Sequence, residues 1–203
     1  MKSLKNESGR SMVEMLGVLA IIGVLSVGGI AGYRTAMERM YLNKALEVAD
    51  RFALMMENEF ADWDNSYYND GTACRPTLEC TECMKEDTEY FCSQYGKEYC
   101  SNFSNIADDC YWGNAWRLVG SGGFTISHTE ASDVNLGFAT GFENQSLCEE
   151  MLTRILNQPF YQQHLKMFGM SGTYSKPKPE WIKEACSFST KNHKTTVFIR
   201  VGK

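Results

Sequence analysis

Eight cysteines, three histidines and one glutamate beside a long uncharged run are the residues here that could do chemistry. Cys80-x-x-Cys83 has one half of a structural zinc site. A second C-x-x-C or H-x-x-x-H at the usual spacing is missing. His128, His164 and His193 stand apart from one another and from any nucleophile or metal motif. The chain has no phosphate loop, no G-x-S-x-G and no H-E-x-x-H. Asp108-Asp109 reads as a solvated turn rather than an acid pair. These residues predict no cofactor, no metal and no catalysis. The even cysteine count points instead to disulfides, which persist in the periplasm and at cell surfaces and are rare in the cytosol.

Glu14 stands in a different setting. Nineteen residues without a charge follow it, Met15 to Tyr33, before Arg34. That is close to the ~20 apolar residues that cross a bilayer core. A carboxylate at the membrane centre costs roughly 2.5–3.5 kcal/mol and needs a partner. The reading is that this partner arrives from another molecule. Lys2, Lys5 and Arg10 precede the span and the polar body follows it, so the positive-inside rule leaves the N-terminus cytoplasmic and the body outside. An ordinary secretory signal, with an apolar core of about 7–15 residues and a small-residue cleavage site after it, fits less well.

Gly9, Glu14 five residues on, and the run Met15-Leu16-Gly17-Val18-Leu19-Ala20-Ile21-Ile22-Gly23-Val24-Leu25 resemble the N-terminus of type IV pilins and of the related secretion pseudopilins. The resemblance implies that a prepilin peptidase cuts after Gly9, removing residues 1–9 as a leader. It also implies methylation of the new amine on Arg10 and a role for Glu14 in packing subunits into a filament. Arg10 departs from the family pattern, which usually has a bulky apolar residue there. The implied partners are copies of the same chain, the peptidase, the pilus assembly platform and, before assembly, the bacterial inner membrane. The implied destination is an extracellular pilus or a periplasmic pseudopilus. The rival within the class is a minor type II secretion pseudopilin. The rival outside it is a membrane-anchored, disulfide-stapled binding module that never polymerises.

The elements that must position these residues begin with one helix. No proline interrupts residues 10–63. Tyr33, Met37, Met40, Ala45, Val48, Phe52, Met55, Phe60 and Trp63 recur at three- to five-residue steps, the stripe of an amphipathic helix. Residues 10–33 form its membrane and filament-core half, and residues 34–63 pack against a globular head, residues 64–203. Glu47 and Arg51 form an i,i+4 pair in the favourable order. Gly17, Gly23, Gly28, Gly29 and Gly32 each weaken the helix by about 1 kcal/mol relative to alanine. They read either as sites of close helix packing or as points where the helix stretches on entering a filament.

Residues 64–112 lose the apolar periodicity and hold Cys74, Cys80, Cys83, Cys92, Cys100 and Cys110. They read as a long irregular loop held by cross-links of open connectivity. In residues 113–203, Ala115–Val119 and Phe124–His128 read as a β-hairpin around a glycine turn, and Val134 to Phe142 as a further strand. Ser146 opens a helix through Leu156 in capping-box form, Pro179 to Ala185 is a short helix, and Thr195 to Val201 alternates as a terminal strand. The fold class is α+β, and the order of parts resembles the type IV pilin fold: a long N-terminal helix packed on an antiparallel sheet, with a stapled loop and C-terminal region. The passage Gly141 to Ile155 is similar to the larger type IVb pilins, which commonly close their C-terminal region with one disulfide. That implies pairing of Cys148 with Cys186, both outside the crowded loop.

The net charge is −5, and −6 once residues 1–9 are removed. An acidic chain is a poor general nucleic-acid binder. Residues 57–110 carry a balance of −10 and residues 154–203 a balance of +7. This asymmetry reads either as two solvated faces or as complementary surfaces that meet between neighbouring subunits.

Overall fold

A computed structural model of the chain describes residues 8–69, 82–95, 123–130, 133–139, 145–169, 177–191 and 197–203. Two compact units divide it, Met1–Arg39 and Met40–Lys203. Helix α1, Ser8–Ala61, runs through both as 54 residues without a break. Its sequence has no proline to remove a hydrogen bond or clash with the preceding turn.

In the second unit, α1 is amphipathic. Leu42, Ala45, Val48, Ala49, Phe52, Met55 and Met56 are fully buried or nearly so. Small alanines at 45, 49 and 53 let the opposing layer approach the helix between the larger side chains. The expected stripe holds from Ala45 to Trp63, whereas Tyr33 and Met40 are exposed. Glu47 and Arg51 pair on the outer side at 3.0 Å. Two 3-10 turns, Trp63–Asn65 and Tyr67–Asn69, bring the chain off the helix.

Four antiparallel strands form one sheet among the described residues: β1 (Gly123–Glu130), β2 (Asp133–Ala139), β3 (Leu165–Gly169) and β4 (Val197–Gly202), in the order β1-β2-β4-β3. Phe124, Ile126 and His128 lie opposite Phe138, Leu136 and Val134. Leu136 and Val134 in turn face Ile199 and Val201. The period of two thus puts these residues on one face of the sheet, and all of them are buried. The other face carries buried Thr125, Ser127 and Asn135, and Arg200 Nε donates to Asn135 Oδ1 at 2.9 Å.

Four further helices lie in this unit among the described residues: α2 (Glu82–Tyr95), α3 (Gln145–Leu156), α4 (Pro159–His164) and α5 (Pro179–Lys191). Proline opens both α4 and α5, where its missing N–H costs nothing. The Tyr161 hydroxyl of α4 donates to the Ala49 carbonyl at 2.7 Å, fixing α4 to α1. Burial pushes the Tyr161 and Tyr68 hydroxyls well above the ordinary tyrosine range, because a phenolate has no water there.

Three expectations change. Residues 64–112 are not irregular throughout, because α2, Glu82–Tyr95, is a 14-residue helix within them. The hairpin partner of Phe124–His128 is β2; Ala115–Val119 lies outside the described residues. The helix at Pro179 runs on to Lys191 rather than ending at Ala185. Its inner positions Ile182, Ala185 and Cys186 continue the three- and four-residue spacing.

Candidate assembly surface

Gly9, Arg10 and Glu14 fall within the first two turns of α1, with Glu14 one turn on from Arg10. Beyond them the helix surface is apolar in every direction. All thirteen large hydrophobic side chains from Met12 to Tyr33 are exposed, from 53% at Ile22 to 73% at Val24. Burying one such side chain is worth about 1.5–3 kcal/mol, so the set represents on the order of 20–40 kcal/mol. A domain's whole stability is only about 5–15 kcal/mol. A helix apolar all round needs cover all round, by lipid or by several helices, rather than a groove on one side.

Polar demand inside the stretch is met internally. Ser26 is the one hydroxyl between Met15 and Tyr33, and it donates to the Ile22 carbonyl at 2.7 Å. Thr35, just past the apolar run, does the same to Ala31 at 3.1 Å. Tyr33 and the Arg34–Glu38 pair at 3.4 Å mark the return of polar character. An aromatic ring and a cation at that boundary suit a membrane–water interface. The helix is thus long and apolar enough to cross a membrane.

Among the described residues, the glycines of the span have no packing partner. A methyl added at Gly17, Gly23, Gly28, Gly29 or Gly32 would meet no other atom within 4 Å. Their cost in helix propensity therefore has no return from intrachain packing.

Cys148, on α3, and Cys186, on α5, are joined in a disulfide with Cα atoms 5.7 Å apart, both fully buried. It ties α5 to α3. Cys92, on α2, is disulfide-bonded as well. Cys83 opens the same helix, whereas Cys74, Cys80, Cys100 and Cys110 lie outside the described residues. No group of three or more possible ligand side chains is close enough to hold a metal among the described residues.

A second cluster was not readable from sequence. His128 and Asp87 meet in the core, with His128 Nδ1 2.8 Å from Asp87 Oδ2. The sign that could have placed Asp87 is the spacing of Thr88, Phe91, Cys92 and Tyr95, a short helical stripe inside an otherwise polar loop. Compared with protein-family models, curated proteins and solved structures, the chain matches none.

Proposed function

We propose that this chain is a structural subunit of a type IV pilus-like filament, held in the bacterial inner membrane before assembly. The observation that carries the reading is the exposed apolar helix surface from Met12 to Tyr33 with the Glu14 carboxylate at its edge. Lipid covers this surface first. Sister helices replace lipid when an ATP-driven platform extracts the subunit. Glu14 meets the terminal amine that cleavage after Gly9 creates on the neighbouring subunit, which fixes axial register. The role is structural rather than catalytic. The acidic 57–110 and basic 154–203 segments supply complementary head-to-tail contacts, which extend into open assemblies when the rotation does not close.

Processing tests the reading. Intact mass of the mature protein is expected to show loss of residues 1–9, Arg10 at the new terminus, and zero or one added methyl. Material in filaments that still carries Met1 to Gly9 would sink the proposal.

The glycines give a second test. Gly28→Ala together with Gly29→Ala should make the span more helical, by about 1 kcal/mol per site, and leave the head fold unchanged. Incorporation into filaments should nonetheless fall, because both close helix packing and local stretching need those positions without a side chain. Incorporation at the wild-type ratio would show that the glycines serve neither.

A further inference from the structure

Tyr67, on the second 3-10 turn, and Tyr90, on α2, lie face to face. Their ring centres are 4.3 Å apart and their planes differ by 11°. Aromatic pairs usually sit with centres about 4.5–7 Å apart, so this pair is closer than most. Tyr68 stands edge-on to both rings, at 5.1 and 5.8 Å. It is fully buried, whereas Tyr67 and Tyr90 each stay partly exposed. A reagent in solution therefore reaches the stacked pair and not the ring behind it.

The Tyr90 hydroxyl has a base in place. It donates to Glu59 Oε1 on α1 at 2.6 Å, the short distance of an O–H held by a carboxylate. Burial first, and then that hydrogen bond, hold the Tyr90 phenol above the ordinary tyrosine range. It therefore keeps its proton at neutral pH. A phenol gives up an electron most readily when its proton can leave at the same moment, because the radical cation is a strong acid. Glu59 is placed to take that proton.

Both rings are held where they stand. Ser66 Oγ accepts from the Tyr68 N–H at 3.1 Å, and the Ser66 carbonyl accepts from the Asn69 N–H at 3.1 Å, which fixes the turn that carries Tyr67. At the end of α2, Arg51 donates to the Tyr95 carbonyl and Asn58 donates to the Tyr95 hydroxyl at 3.3 Å.

We propose that Tyr67 and Tyr90 are a modification site, a pair placed to couple into a dityrosine cross-link under one-electron oxidation, with Glu59 as the base for the Tyr90 proton. Each phenol loses one electron and one proton. The Tyr90 proton goes to Glu59 and on to solvent, and the Tyr67 proton goes to water. The two phenoxyl radicals join through one ring carbon each, ortho to the hydroxyl. The hydrogens on those carbons then move to the oxygens, which restores both phenols. The product is two hydrogen atoms lighter. A haem peroxidase is the class of oxidant that balances the step: hydrogen peroxide takes up the two electrons and two protons and leaves as two waters.

The new bond would close a ring of chain from Tyr67 to Tyr90 that contains Cys74, Cys80 and Cys83. It would tie α2 to the turn after α1 by a link that, unlike a disulfide, reductants do not open. The site belongs to the head and stands whether or not the chain enters a filament.

The test treats the full chain, as dilute monomer in detergent micelles, with a haem peroxidase and hydrogen peroxide. Peptides are then mapped by mass spectrometry after reduction and alkylation of the cysteines. A Tyr67–Tyr90 linked pair, two hydrogen atoms lighter than its separate peptides, should be the main dityrosine product. Tyr67→Phe and Tyr90→Phe each keep the ring and should abolish it. Glu59→Gln keeps an acceptor without a base and should slow coupling by roughly a hundredfold, the lower end of what a positioned base contributes. The same treatment of the unfolded wild type should spread coupling over the ten tyrosines. Native coupling spread just as broadly, or native oxidation that leaves Tyr67 and Tyr90 unlinked, would overturn the site, even if a variant failed to fold. A Glu59→Gln chain that couples at the wild-type rate would refute the base.

Discussion

Glu14→Gln subunits should enter the membrane, lose residues 1–9 at a near-normal rate, and then be largely missing from filaments. The substitution keeps the shape and removes the charge. In the membrane, an amide at the edge of the apolar run is no costlier than the carboxylate, so insertion does not suffer. Within the filament the neighbouring terminal amine loses its counter-charge in an apolar setting. Removing one partner of a buried pair costs about 3–5 kcal/mol, and 1.4 kcal/mol is a factor of ten. The incorporation ratio should therefore fall by roughly a hundredfold to a few thousandfold. Glu14→Leu should insert at least as well and assemble as poorly. Co-expression with wild type gives the cleanest reading, as the mutant share in sheared filaments against its share in the membrane. Equal shares would refute the intersubunit role and favour a pair within one helix, between Glu14 and Arg10 or the amine.

The second large effect belongs to the head. Cys148 and Cys186 close a loop of sequence separation 38. Loop-closure entropy for that length corresponds to about 4 kcal/mol, and removing such a bridge from a secreted domain typically costs about 2–5 kcal/mol. Replacing both by alanine should lower the melting temperature of the head by roughly 10 °C, since each kcal/mol shifts a domain of this size by about 2–4 °C. Alanine at both positions avoids leaving a lone buried thiol. Leu147, Met151 and Ile182, buried on the same two helices, should keep the fold together without the bridge. An unchanged melting temperature in the double variant would mean that packing alone holds α3 to α5.

The parts readable from sequence are those with a strong period. Nineteen uncharged residues and a proline-free run of fifty made α1 plain. Alternation made β4 plain, with Val197, Ile199 and Val201 buried on one side. Leu147, Met151, Leu152 and Ile155 did the same for α3, although that helix opens at Gln145, one residue ahead of Ser146. Two short elements escaped. β3 has a bulge that breaks its alternation, and α4 has only six residues after Pro159. Helix α2 escaped for another reason. Its buried positions include Asp87 and Thr88, polar residues made tolerable by the edge of β1, which no local window contains. For the same reason His128 looked isolated: its partner is 41 residues away.

The central claim is that copies of this chain leave the membrane and become a filament. Surface filaments sheared from cells, imaged by electron microscopy and identified by mass spectrometry, test it most directly. The pilin reading requires filaments whose subunits begin at Arg10 and carry the intact head. A chain that stays wholly with the membrane fraction, begins at Met1 and is absent from every filament would contradict it, and would mark a membrane-anchored module instead.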